Sequence, residues 1–183
     1  MTAAVVFPEP RRIIVMGVSG SGKTTVGAAL AEELGAGFVD GDDLHAGAAL
    51  AKMSAGLPLT DADREPWLRR VGETLRDAST AGSSIVIACS ALRRRYRDTI
   101  RSTGGEPVYF IHLVADEAVL RDRVTTRADH FMPPALLTSQ LATLEPLELD
   151  EEGGTYDATA SWNRIAEQLG IPSPSGRHTK DSP

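Results

Sequence analysis

"GVSGSGKT", Gly17 to Thr24, is the stretch on which the reading of this chain turns. It puts three glycines and two serines between an apolar run, "RRIIVMGV" (Arg11 to Val18), and a helical pattern, "KTTVGAALAEELG" (Lys23 to Gly35). Gly17, Gly22, Lys23 and Thr24 satisfy G-x-x-x-x-G-K-[ST], and strand–loop–helix is the context that motif requires. Its glycines let the backbone curl, so that the amides of Ser19, Gly20, Ser21 and Thr25 can face phosphate oxygens. The helix N-terminus adds partial positive charge. Lys23 can reach the outer phosphates, and Thr24 can offer its hydroxyl to Mg²⁺. A mere Gly/Ser connector would not need this spacing.

The loop alone does not name a reaction. A base-reading N-K-x-D is absent, and the third apolar run, "IVIACSA", ends at Ser90 and Ala91 rather than in an acidic pair. A short chain lacking both favours a kinase of small molecules.

Outward from the loop, apolar runs recur at "GFVD" (Gly37 to Asp40), "SSIVIACSA" (Ser83 to Ala91) and "VYFIHLVA" (Val108 to Ala115). Runs without polar alternation are buried on both faces, as in a parallel sheet. Helical patterns intervene at 63–79, 92–102, 116–127, 134–145 and 161–170, the first with Asp63 as N-cap and Pro66 in its first turn. A last strand is placed at Thr155 to Thr159. Alternation of strand and helix predicts an α/β fold, a P-loop parallel sheet flanked by helices. One domain is expected over 11–171, with a small lid near 124–140 and a disordered Pro/Ser-rich tail at 172–183.

The chain has 183 residues and a net charge of -6, which argues against a general nucleic-acid binder. Its single cysteine, Cys89, excludes an intrachain disulfide and suits a reducing cytoplasm. No apolar run is long enough to span a bilayer.

"VDGDDLH" (Val39 to His45) closes the second strand, at the sheet edge where ligands bind in open α/β folds. Asp40 and Asp42, two apart, leave the same side of an extended chain. Such a pair can hold a Mg²⁺ shell and take a proton from an attacking hydroxyl; an Asp-rich turn capping the next helix is the competing reading.

With "MGVSGSGKTT", "DGDDLH", "KMSAGLPLTDADREPWL", "CSALRRRYRD" and "HFMPPALLTSQLATLE" in collinear order, the chain resembles the gluconate kinases of the shikimate-kinase-like, P-loop type over about 13–170. The resemblance implies a nucleoside-monophosphate-kinase-like fold and transfer of phosphate from ATP to the 6-hydroxyl of D-gluconate. It implies catalytic roles for Lys23, Asp42, Asp40 and Arg127, with Asp42 as base and Asp40 beside Thr24 at Mg²⁺. It places His45, Lys52, Arg64, Ser90, Arg94, Arg97, His130 and Gln140 on the substrate side. Arg123 is carried over to adenine and Arg127 to phosphate, and a homodimer is implied. Several of the arginines also fit a solvated helix face. Met53, Trp67 and Cys89 are read as packing residues. Where the family has H-P-x-x-N-x-x-K-M, this chain has "HAGAALAKM", so Ala46 and Ala49 bear on specificity, and Asp129 makes the lid less basic. A kinase for shikimate or a ketogluconate, and a silent ATP-binding module, are the alternatives.

Overall fold

The computed structural model describes residues 9–55, 57–126 and 134–171. Five parallel strands form one sheet in the order β2-β3-β1-β4-β5: β1 Arg12–Met16, β2 Gly37–Asp40, β3 Ile85–Ala88, β4 Tyr109–Val114 and β5 Gly153–Asp157. Helices α1 Lys23–Leu34, α2 Gly47–Ser54, α3 Asp61–Thr80, α4 Arg94–Gly104, α5 Glu117–Thr126, α6 Pro134–Thr143 and α7 Trp162–Leu169 connect and flank them.

The two faces of the central strands carry different cores. Ile14, Met16, Ile87 and Phe110 pack against α3 and α4 through Leu68, Val71, Leu75 and Ile100. Ile13, Val15, Val86 and Ile111 pack against α1 and α7 through Leu30, Ile165 and Leu169. Because successive side chains alternate between faces and both are covered, Ile13–Met16 and Ile85–Ala88 are apolar throughout, and β4 is apolar but for the buried His112. A third cluster of Val18, Leu92, Leu120, Val124 and Leu137 lies where the glycine-rich loop meets α5 and α6.

Local boundaries differ from expectation at α3. Thr60, not Asp63, is its N-cap; Thr60 accepts the Asp63 amide and Asp63 accepts the Thr60 amide, a capping box with aspartate in the third position. Pro66 therefore falls inside the helix rather than in its first turn. The strand expected at Thr155–Thr159 begins two residues earlier. The 3₁₀ turn at Gly41–Leu44 matches the competing reading of an Asp-rich turn there, while helix α2 was not anticipated. The tail at 172–183 lies outside the described residues, as do 127–133 of the expected lid.

Candidate active site

The loop after β1 is shaped by steric demand. Gly17 has φ +145°, and a Cβ there would lie 2.7 Å from the Leu113 carbonyl oxygen and 2.7 Å from Ser21 Oγ. Gly22, left-handed at φ +86°, turns the chain into α1 as its N-cap, so the first amides of α1 face outward without a side-chain cap. Lys23 folds back, and its Nζ donates to the Val18 carbonyl at 3.1 Å. Ser21 Oγ is buried without a hydrogen-bond partner.

Sheet order brings the acidic segment beside this loop. β3 separates β2 from β1, so the ends of β2 and β1 open into one cleft of about 570 Å³. Ser19 to Val26, Asp40 and Asp42 line it. Thr24 Oγ1 donates to Asp40 Oδ2 at 2.9 Å, while Asp40 Oδ1 accepts the Asp42 amide at 3.1 Å. The extended geometry expected for the acidic pair is not found, because Asp40 caps the 3₁₀ turn that holds Asp42. Both carboxylates nonetheless line the same cleft. The turn itself is fixed from behind: the Trp67 indole donates to the Gly41 carbonyl at 2.6 Å, and a Cβ on Gly41 would sit 2.6 Å from the Ala88 carbonyl oxygen.

His45 follows that turn and stacks on Trp67, ring centroids 4.4 Å apart. Burial holds its imidazole below the ordinary histidine value; Asp42 opposes the shift, and Arg64 and Arg70 add to it. Its Nδ1 is buried without a partner. Ser90 sits just past β3, between the acidic segment and the loop in sheet order. Arg64 lies over the Tyr96 ring, 5.8 Å from its centroid, with Arg93 at 5.9 Å from the same ring.

Four residues expected on the substrate side are committed elsewhere. Arg97 is fully buried, and its guanidinium donates to Glu151 at 2.7 and 2.8 Å and to the carbonyls of Ala91, Leu92, Glu145 and Pro146. It is a scaffold residue. Arg94 binds Asp98, Glu148 and Asp150. Lys52 bonds both oxygens of Asp63 at 2.6 and 2.8 Å, tying α2 to the start of α3 and bringing the Asp63 carboxyl down to about 2. Gln140 is placed not toward the acidic segment but on the loop, where its Oε1 accepts the Ser19 amide at 2.7 Å. Arg127 and His130 lie outside the described residues.

Arg123 forms one wall at the far end of the cleft, held by the carbonyls of Ala158 at 3.0 Å and Gly20 at 3.3 Å. Trp162 lies in the same wall, a residue that sequence reasoning passed over; an aromatic opening the last helix was the available signal. Arg121 pairs with Glu117 on the surface. Trp67 and Cys89 are buried, as expected, and burial pushes the Cys89 thiol up to about 12. Met53 is exposed rather than packed.

A parallel sheet, a phosphate loop opening α1 and a carboxylate pair one strand away define a P-loop kinase. The family model described as an AAA domain matches residues 13–147. The gluconokinase of Gluconobacter oxydans is 51% identical over 137 residues, covering 75% of this chain and 76% of that protein. The chain belongs to the gluconokinase family. Among solved structures, a sugar kinase from Janibacter sp. superposes with TM-score 0.82 at 45% identity, covering 90% of this chain and 96% of that one. A gluconokinase from Sinorhizobium meliloti gives TM-score 0.77 at 41% identity, with 87% and 89% covered.

Proposed function

We propose that this chain transfers the γ-phosphoryl group of ATP to the 6-hydroxyl of D-gluconate, giving 6-phosphogluconate and ADP. The observation that carries the reading is the contact of Thr24 with Asp40, because it puts a phosphate loop and an acidic pair at one cleft.

The residues fit a magnesium nucleotide. The cradle at Gly17 has no room for a side chain, Ser21 Oγ is an orphaned donor, and Thr24 with Asp40 offers one hydroxyl and one carboxylate. Mg²⁺ takes few protein ligands, the rest being water and phosphate oxygen. When bound it would neutralise charge on the phosphates. Lys23 exchanges the Val18 carbonyl for phosphate oxygens, a stronger, charge-assisted bond. Asp42, exposed in the cleft, takes the proton of the 6-hydroxyl as its oxygen attacks phosphorus. His45, kept neutral by burial, hydrogen-bonds the sugar acid without adding charge. Arg64 is the cation for the substrate carboxylate. Arg123 and Arg127 belong to the nucleotide side, and His130 to the acceptor side.

Residues 11–171 act as one catalytic unit. A homodimer and a cytoplasmic location rest on family resemblance; among the described residues no helix is long and apolar enough to cross a membrane. The gluconokinase names of the relatives weigh against shikimate, and this chain's own Lys23, Thr24, Asp40 and Asp42 weigh against a silent module.

Asp42→Asn tests the assignment. Turnover with gluconate falls at least ~100-fold while affinity for a non-hydrolysable ATP analogue stays near wild type. Turnover like wild type would remove Asp42 as base.

A further inference from the structure

Helix α6 and the residues after it link the phosphate loop to the segment following β3. Toward the loop, Leu137 is fully buried with Val18, Leu120 and Val124, and Gln140 Oε1 accepts the Ser19 amide at 2.7 Å. Toward the segment following β3, Glu145, two residues past the helix, is pinned twice. The Glu145 amide donates to the Leu92 carbonyl at 2.7 Å, and Glu145 Oε2 accepts the Arg94 amide at 2.6 Å. Three helical residues follow Gln140, about 4.5 Å of rise, before Leu144 and Glu145 lead out of α6. One short, rigid segment therefore spans from the phosphate loop to the segment following β3.

The Ser19 end of the loop is the outer-phosphate end. Lys23, whose ammonium serves the β- and γ-phosphates in such loops, reaches back to the Val18 carbonyl, the residue before Ser19. The inner end is Gly22 to Thr24, at the N-terminus of α1. The Gln140 hydrogen bond thus acts on the part of the loop nearest the transferred group. A glutamine supplies an acceptor there without charge, whereas a carboxylate would set a negative group behind the phosphates.

We infer that Gln140 is a positioning residue: through the Ser19 amide it holds the outer-phosphate end of the loop at a fixed spacing from the acceptor rim. Resting on the gluconate reading, this adds a device that aligns donor and acceptor. It does so from a residue that resemblance had assigned to the sugar acid. Loss of the bond leaves the Ser19 amide without its acceptor and lets the outer end of the loop drift.

The test uses the full chain with Gln140→Leu and Gln140→Glu; the second keeps an acceptor oxygen of equal reach. Amide hydrogen exchange without nucleotide is read over the loop (17–22) and over α1. In Gln140→Leu the loop exchanges about tenfold faster while α1 is unchanged, and Gln140→Glu restores the loop's protection. With gluconate, kcat of Gln140→Leu falls by about tenfold or more, while KM for gluconate and affinity for ADP stay within about threefold. Unchanged loop exchange in Gln140→Leu, no recovery in Gln140→Glu, or kcat within about threefold of wild type would each overturn the inference. The exchange and ADP arms contain no acceptor. They report on Gln140 even if gluconate were the wrong substrate, and a failed exchange result beside normal gluconate turnover would sink this inference alone.

Discussion

Glu151→Gln probes the division between scaffold and site. Arg97 and Glu151 are each wholly buried, joined at 2.7 and 2.8 Å, with Arg101 at 3.3 Å from the same carboxylate. Glu151 also accepts the Glu148 amide at 3.0 Å, which closes the loop between α6 and β5. The amide variant leaves the Arg97 cation in the interior, facing carbonyls only. Breaking one side of a buried pair costs about 3–5 kcal/mol, since the remaining charge is uncompensated. For a chain of this size that lowers the melting temperature by roughly 6–20 °C. The assay is urea and thermal unfolding, followed by kinetics at a temperature where both proteins are folded. The folded variant should keep KM for gluconate within about twofold, because Arg97 has no donor aimed at the cleft. A stability loss under about 1 kcal/mol would refute the buried-pair argument. A large rise in the gluconate KM at unchanged stability would return Arg97 to the substrate side.

Two more outcomes follow from the site and the core. Thr24→Val removes the hydroxyl that bonds Asp40, so the Mg²⁺ concentration for half-maximal rate should rise about tenfold; an unchanged Mg²⁺ dependence would contradict that role. His112 is buried on β4, and burial together with Arg97 brings its imidazole down to about 4, below the unfolded value. Its contribution to stability is full above about pH 6.5 and is lost as pH falls through about 4, up to about 3 kcal/mol. Urea unfolding of His112→Leu should lose much of the slope between about pH 4.5 and 6.5, leaving the parts from His45 and, at the acid end, from paired carboxylates such as Glu151; the wild-type slope in that variant would contradict the reading.

The loop was legible in the sequence because its constraint is local: backbone amides facing one ligand need glycine at set intervals, and no distant residue can substitute. The central strands were legible because burial on both faces leaves no polar position in Ile13–Met16 or Ile85–Ala88. Helix α2 was not, because "HAGAALAKM" has no side-chain cap and Ala46 serves as N-cap with an empty side chain. The start of α3 was misplaced by three residues, since Asp63 is both a capping residue type and the third residue of the true helix. The arginines of "LRRRYR" show the sharper limit. Spacing places Arg94 and Arg97 on neighbouring helix positions, but only the distant Glu148, Asp150 and Glu151 decide that both are spent on the scaffold. Gln140 was selected by resemblance as a site residue; its partner, 121 positions away at Ser19, is set by the fold.

The claim beneath all of this is that an alcohol held by Asp42 meets the last phosphorus of a nucleotide held by the loop. Purified protein with Mg-ATP should therefore be offered gluconate, 2-ketogluconate, shikimate or no acceptor, with ADP measured and the product located by ³¹P and ¹³C NMR. ADP formed in step with phosphate on carbon six of gluconate, and little with the other acceptors or none, is the predicted result. ADP released at the same rate without gluconate, or phosphate found on shikimate instead, would contradict it.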